Sequence, residues 1–150
     1  MFKLRLSFVV FILAFISSLT FADPTDSVFP NIQVQVKQNV YGVEYANTFE
    51  LRAQGLMHRE EMCQSCGMLF NFQQVKRAGM WMKNTLIPLD VAFINPDGKI
   101  TDIKAMKPHD LSTTSSSEPV LYAWEMNQGW FAQNGIQVGD TVTFPLKHDL

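Results

Sequence analysis

The densest run of side chains able to do chemistry is Lys83-Asn84-Thr85 with Asp90 close behind, directly after the apolar Met80-Trp81-Met82. An ammonium, an amide, a hydroxyl and a carboxylate delivered where a buried strand ends would furnish a site at the rim of a scaffold. Glu125, between Trp124 and Met126, and Asp140, beside Gly139, are further acids in apolar surroundings. Charge near a core is costly unless paired. Two readings follow. In one, Arg59, Lys83, Asn84, Thr85, Asp90 and Glu125 bind a ligand around one pocket. In the other they hold loops, with Asn84 and Thr85 capping a turn before Pro88 and Lys83 or Arg59 paired with Asp90 or Glu125.

Catalytic templates fit less well. Ser-His-acid chemistry needs a base held by an orienting acid, and the only imidazoles are His58, His109 and His148. His109, between Pro108 and Asp110, is placed to act as a base, but no nucleophile motif accompanies it. Asp90 and Glu125 with Lys83 could instead form the acid and base of a hydrolase or lyase, where the separation of the carboxyls sets the outcome. Soft metal ligation is a third option, since His58, Cys63 and Cys66 lie near Met57, Met62 and Met68 and sulfur suits Cu(I). One cysteine pair does not close a zinc site, and core packing explains the methionines. The expectation is no metal and no cofactor.

Cys63 and Cys66 are the only cysteines, and an even count in an oxidising compartment favours a disulfide. So small a ring removes only ~2 kcal/mol of chain entropy, so it would pin the local turn rather than the fold. The same Cys-x-x-Cys spacing serves redox enzymes, there at a helix start in a βαβ setting that is not legible here.

Those residues must be positioned by a chain that begins with Lys3 and Arg5, an apolar run from Phe8 to Ile16, polar Ser17-Ser18, and Thr20-Phe21-Ala22. That is the layout of a signal peptide over residues 1–22, and the run is too short to span a bilayer. Cleavage leaves 10 Lys and Arg against 14 Asp and Glu, a formal charge of −4. No clustered excess of Lys and Arg offers itself to nucleic acid. The mature chain is expected to be periplasmic or secreted, with no stable membrane insertion.

Residues 23–30 read as a loose lead-in, and 31–150 as a single domain. Ile32, Val34 and Val36 alternate with polar residues, predicting a strand over 31–37, with a second over Val40 to Tyr45. Asn47 with Glu50 suggests a capping box and a helix over Thr48 to Gln54 ending at Gly55. Buried strands are expected at Gly67 to Phe72 and Gly79 to Lys83, then a hairpin of Leu89 to Asn95 and Lys99 to Met106 about Asn95-Pro96-Asp97-Gly98. The Ser-rich Pro108 to Pro119 reads as a long exposed, mobile loop. A strand at Val120 to Met126, a short helix at Trp130 to Asn134 and a strand at Thr141 to Phe144 complete an α+β domain: a compact, mostly antiparallel β-sheet, barrel-like, with two short helices.

The strings Gly55-Leu56-Met57, Gly67-Met68-Leu69-Phe70, Trp81-Met82-Lys83-Asn84-Thr85 with Ile87-Pro88-Leu89-Asp90, and Gly139-Asp140 resemble, in order and spacing, the domain of unknown function 192 family. Many of its bacterial and archaeal members are exported. The resemblance implies a compact, mostly antiparallel α+β fold and brings no established reaction, ligand or partner. His58 stands where an aromatic is usual, and many relatives lack cysteine around positions 63 and 66, so chemistry on that pair would belong to a subgroup. The resulting expectation is a non-catalytic extracytoplasmic binding or accessory module for a small molecule or protein. Its contact surface would be the rim from Lys83 to Asp90, Glu125 and the Ser-rich loop.

Overall fold

A computed structural model describes residues 29–144. The expected signal peptide, most of the lead-in and His148 lie outside the described residues. In chain order the elements are β1 (Asn31–Val36), β2 (Asn39–Ala46), α1 (Phe49–Gln54), β3 (Gly67–Lys76), β4 (Gly79–Met80) and β5 (Leu89–Ile94). There follow β6 (Ile100–Met106), β7 (Thr114–Ser115), β8 (Val120–Asn127), α2 (Trp130–Gln133) and β9 (Val142–Thr143). Seven strands form one sheet in the order β6-β5-β8-β3-β2-β1-β9, and β4 pairs with β7 in a small second sheet. The main sheet curls into a half-barrel. Its pairings are antiparallel except β2 with β3, which run parallel across the α1 crossover.

Period-two alternation sorts the apolar residues onto two faces of the sheet. One face carries Met68, Phe70, Leu89, Val91, Phe93 and Ala123, covered by Leu56, Met80, Met82 and Ile87. The other carries Leu69, Ala92, Ile94, Trp124 and Met126 under Trp130 and Phe131 of α2. Trp124 lies edge-on to Trp130 and Phe131, with centroids 5.4 and 5.1 Å apart, an arrangement favoured by ring quadrupoles. Buried on both faces, β5 is apolar at every position but Asp90.

Three local expectations are corrected. Thr48, not Asn47, caps α1, its hydroxyl accepting from the Leu51 amide at 3.2 Å, because the chain turns one residue later. The strand after Gly79 stops at Met80, since Met82 to Thr85 form a turn closed by the Thr85 amide on the Met82 carbonyl.

The Ser-rich segment is exposed at most positions, as expected, but it is anchored to the fold rather than a free loop. It contributes β7, and the buried Ser116 hydroxyl accepts from the Ala78 amide at 3.0 Å and donates to the Glu118 carbonyl at 2.8 Å. The Ser117 amide and hydroxyl both donate to Asp102, at 3.0 and 2.9 Å. Burial alone would raise the Asp102 carboxyl, but these bonds, with those from Thr101 and Lys104, hold it below the ordinary range. A serine run is legible as polar. Which hydroxyls meet buried partners is decided by strands far away in sequence.

Candidate functional site

Glu125 sits in the middle of β8, with Met68 of β3 and Val91 of β5 as its cross-strand neighbours. Alternation through Ala123, Trp124, Glu125 and Met126 turns its side chain to the Ala123 face. It is 4 % exposed and has no hydrogen bond or ion pair among the described residues. Removed from water without a compensating cation, the carboxyl is pushed up to about 8.

The Glu125 side chain lines a narrow cleft of about 30 Å³. The turn ending α1 supplies Gln54, Gly55, Leu56 and Met57, β3 supplies Phe70, and the segment from β4 supplies Met80, Trp81 and Thr85. Gly55, at φ 49°, ends the helix and turns the chain over Phe70; a Cβ there would stand 3.3 Å from the ring. The opposite wall is stitched to it. The His58 amide donates to the Asn84 carbonyl at 2.8 Å, and the His109 amide to the Thr85 carbonyl at 3.1 Å. Thr85 is buried, with its hydroxyl 3.3 Å from the Lys83 carbonyl. Trp81 remains 50 % exposed, and the Lys83 ammonium lies 5.4 Å from its ring centroid.

Of the six residues singled out by sequence, the cleft therefore unites Thr85 and Glu125. Lys83 and Asn84 belong to the turn that builds one wall, without lining the cleft. Asp90 is elsewhere: it lies opposite Met126 and projects to the Trp124 face, where its carboxylate accepts from the Gly129 amide at 2.7 Å. Its position fixes the turn into α2. An acid and base pair of Asp90 and Glu125 with Lys83 would need both carboxyls in one cleft, and the sheet separates them. Arg59 is also elsewhere, in an ion pair with Glu44 and 5.8 Å from the centroid of the Phe29 ring.

Arg59 and Glu44 line a second, wider cleft of about 290 Å³ beside the Cys63–Cys66 disulfide. It is larger, but Arg59 and Glu44 in its lining already pair with each other, and its other charged residue, Glu61, is exposed. The disulfide loop is held from below by Asn127, whose amide donates to the Cys63 and Gln64 carbonyls at 2.8 and 3.3 Å. Among the described residues, no three His, Cys, Asp or Glu side chains converge as metal ligands. Sequence reasoning missed Gln54, Met57, Phe70, Met80 and Trp81 as cleft walls. For Met57, Phe70 and Trp81 the only signal was membership of the strings that carry the family resemblance; Gln54 and Met80 lie just outside those strings and carried none.

The fold and site define a class: a small α+β half-barrel in which one unpaired acid, buried in the sheet, opens onto a narrow cleft beneath a half-exposed tryptophan. The family model of DUF192, described as Uncharacterized ACR, matches residues 32–144, and the chain belongs to that family. A protein from Sinorhizobium meliloti 1021, described as a candidate transcription regulator, is 36 % identical over 77 % of this chain and 95 % of its own, with a TM-score of 0.74. A protein of unknown function from Novosphingobium aromaticivorans DSM 12444 is 32 % identical over 82 % of this chain and 91 % of its own, also with a TM-score of 0.74. No match is found among the curated proteins. No helix among the described residues is long and apolar enough to cross a membrane.

Proposed function

We propose that the protein is a non-catalytic extracytoplasmic binding module whose ligand enters the cleft over Glu125. The observation that carries this reading is the unpaired state of that carboxyl. A buried ionisable group without a partner costs stability, and a bound ligand that partners it recovers that cost. Thr85 and Gln54 add polar anchors, while the surrounding thioethers and rings supply apolar contact of the kind found in small-molecule sites. Lys83, Asn84 and the Ser-rich segment form the surroundings of this cleft rather than its floor.

Export is part of the same proposal, supported by the basic and apolar start of the chain and by the disulfide. Transcription regulation, the description carried by the Sinorhizobium protein, is not adopted, because the formal charge of −2 for the whole sequence, and −4 without residues 1–22, offers no excess of cations for nucleic-acid phosphates. Screening small polar molecules by thermal shift, with hits mapped by NMR, tests the reading. A ligand at 100 times its dissociation constant adds about 2.7 kcal/mol of stability. Hits are expected to perturb Trp81, Met57 and Met80. Hits that map only to the cleft beside the disulfide would overturn it.

A further inference from the structure

We propose that the cleft over Glu125 takes the primary ammonium head of an organic amine, with the remainder of the ligand lying outside along Trp81; this rests on the reading of that cleft as the binding site. Space is the first argument. About 30 Å³ admits a group of one or two heavy atoms and no ring.

The character of the walls is the second argument. Phe70 and Trp81 bring aromatic rings and Met57 and Met80 bring thioethers, all of which favour a cation over an anion. The ionisable group in the lining is Glu125, and no cation among the described residues lines the cleft to receive a phosphate or carboxylate. The Thr85 hydroxyl already directs its hydrogen to the Lys83 carbonyl, which leaves lone pairs for a donor. With the Gln54 amide oxygen and the Glu125 carboxylate, a three-donor ammonium can be matched. A hard divalent ion would need six or more oxygen ligands, and one carboxyl with two neutral groups falls short. The Lys83 ammonium lies 5.4 Å from the Trp81 ring centroid and outside the cleft lining.

Binding an ammonium requires Glu125 to ionise and release its proton to solvent. The titratable and charged groups on the surrounding elements are Glu50 and Arg52 of α1, His58, Lys76 of β3, Lys83, Asp90 of β5 and His109. Arg52 is engaged with the Asn47 and Asn71 carbonyls, at 3.1 and 2.9 Å, and Lys76 lies 4.9 Å from the Phe72 ring centroid. Asp90 accepts from the Gly129 amide on the other face of the sheet, and none of these groups lines the cleft.

The test uses the full chain with carboxyl-labelled glutamate, titrated by NMR with 2-phenylethylammonium and with 2-phenylethanol, equal in shape but neutral. The amine is expected to bind at least tenfold tighter, to drive the Glu125 carboxyl resonance to its ionised position, and to gain about tenfold in affinity per pH unit between pH 5 and 7, levelling off as pH approaches 8. Glu125→Gln is expected to erase the preference. Equal binding of amine and alcohol within the cleft would overturn the ammonium inference and leave the cleft reading standing. If neither probe moves Glu125 or Trp81, both fall. The wild-type carboxyl titration reads the outcome even if the variant folds poorly.

Discussion

Glu125 and Asp90 lie on adjacent strands of one sheet yet face opposite sides of it, Glu125 across from Val91 and Asp90 across from Met126. One residue of register separates a carboxyl that caps a turn from one left without a partner in a cleft. The two acids should therefore answer differently to substitution.

For Glu125 the sign follows from its raised folded value of about 8 against an ordinary value of 4.5. The folded state keeps a proton that the unfolded state releases, so stability is fully present below about pH 4.5 and is lost as pH rises toward 8. From pH 5 to 7 this one group should remove about 1.4 kcal/mol per pH unit. Glu125→Gln, which cannot ionise, should lack that slope and be the more stable protein at pH 7. Urea unfolding of both proteins at pH 5 and pH 7 measures it. Parallel losses in the two would overturn the account of Glu125 as buried and unpaired.

Asp90→Ala should leave the Gly129 amide without its acceptor and cost about 1–3 kcal/mol. Asp90→Asn keeps an acceptor oxygen and should cost less. Equilibrium denaturation ranks the pair, and a loss in Asp90→Ala below a few tenths of a kcal/mol would mean the bond contributes nothing.

Hydrogen exchange should divide the Ser-rich segment. The amides of Ser116 and Ser117 donate to the Ala78 carbonyl and to Asp102, so they are expected to be protected. Leu111 is 67 % exposed, and its amide has no hydrogen bond among the described residues, so it should exchange fast. Uniformly fast exchange from Pro108 to Pro119 would contradict the packed arrangement.

Reduction of Cys63–Cys66 should cost about 2 kcal/mol, since the closed ring is small. The sheet should persist, while the Asn127 contacts with the Cys63 and Gln64 carbonyls loosen. Denaturant curves with and without reductant give the loss, and Asn127 side-chain amide shifts report the loosening. Global unfolding on reduction would mean that the bridge holds more than its own turn.

Local signals were sufficient wherever local physics decides structure. Alternation from Asn31 to Val36, the Asn95-Pro96-Asp97-Gly98 turn with Gly98 at φ 81°, and Gly55 ending the first helix all depend on neighbours a few residues away, and all were legible. The strings shared with the family likewise marked Gly55, Met57, Trp81 and Thr85, though not what they do together. Tertiary structure alone decided the parallel pairing of β2 with β3, the anchoring of the serine segment, and the partition of the acids. Glu125 and Asp90 both read as acids among apolar residues. Only strand register determines which face each side chain takes, and only the elements packed on that face determine whether it meets an amide or an open cleft. The same holds for Arg59, paired with Glu44 fifteen residues away, because long-range ion pairs leave no periodic trace in a single sequence.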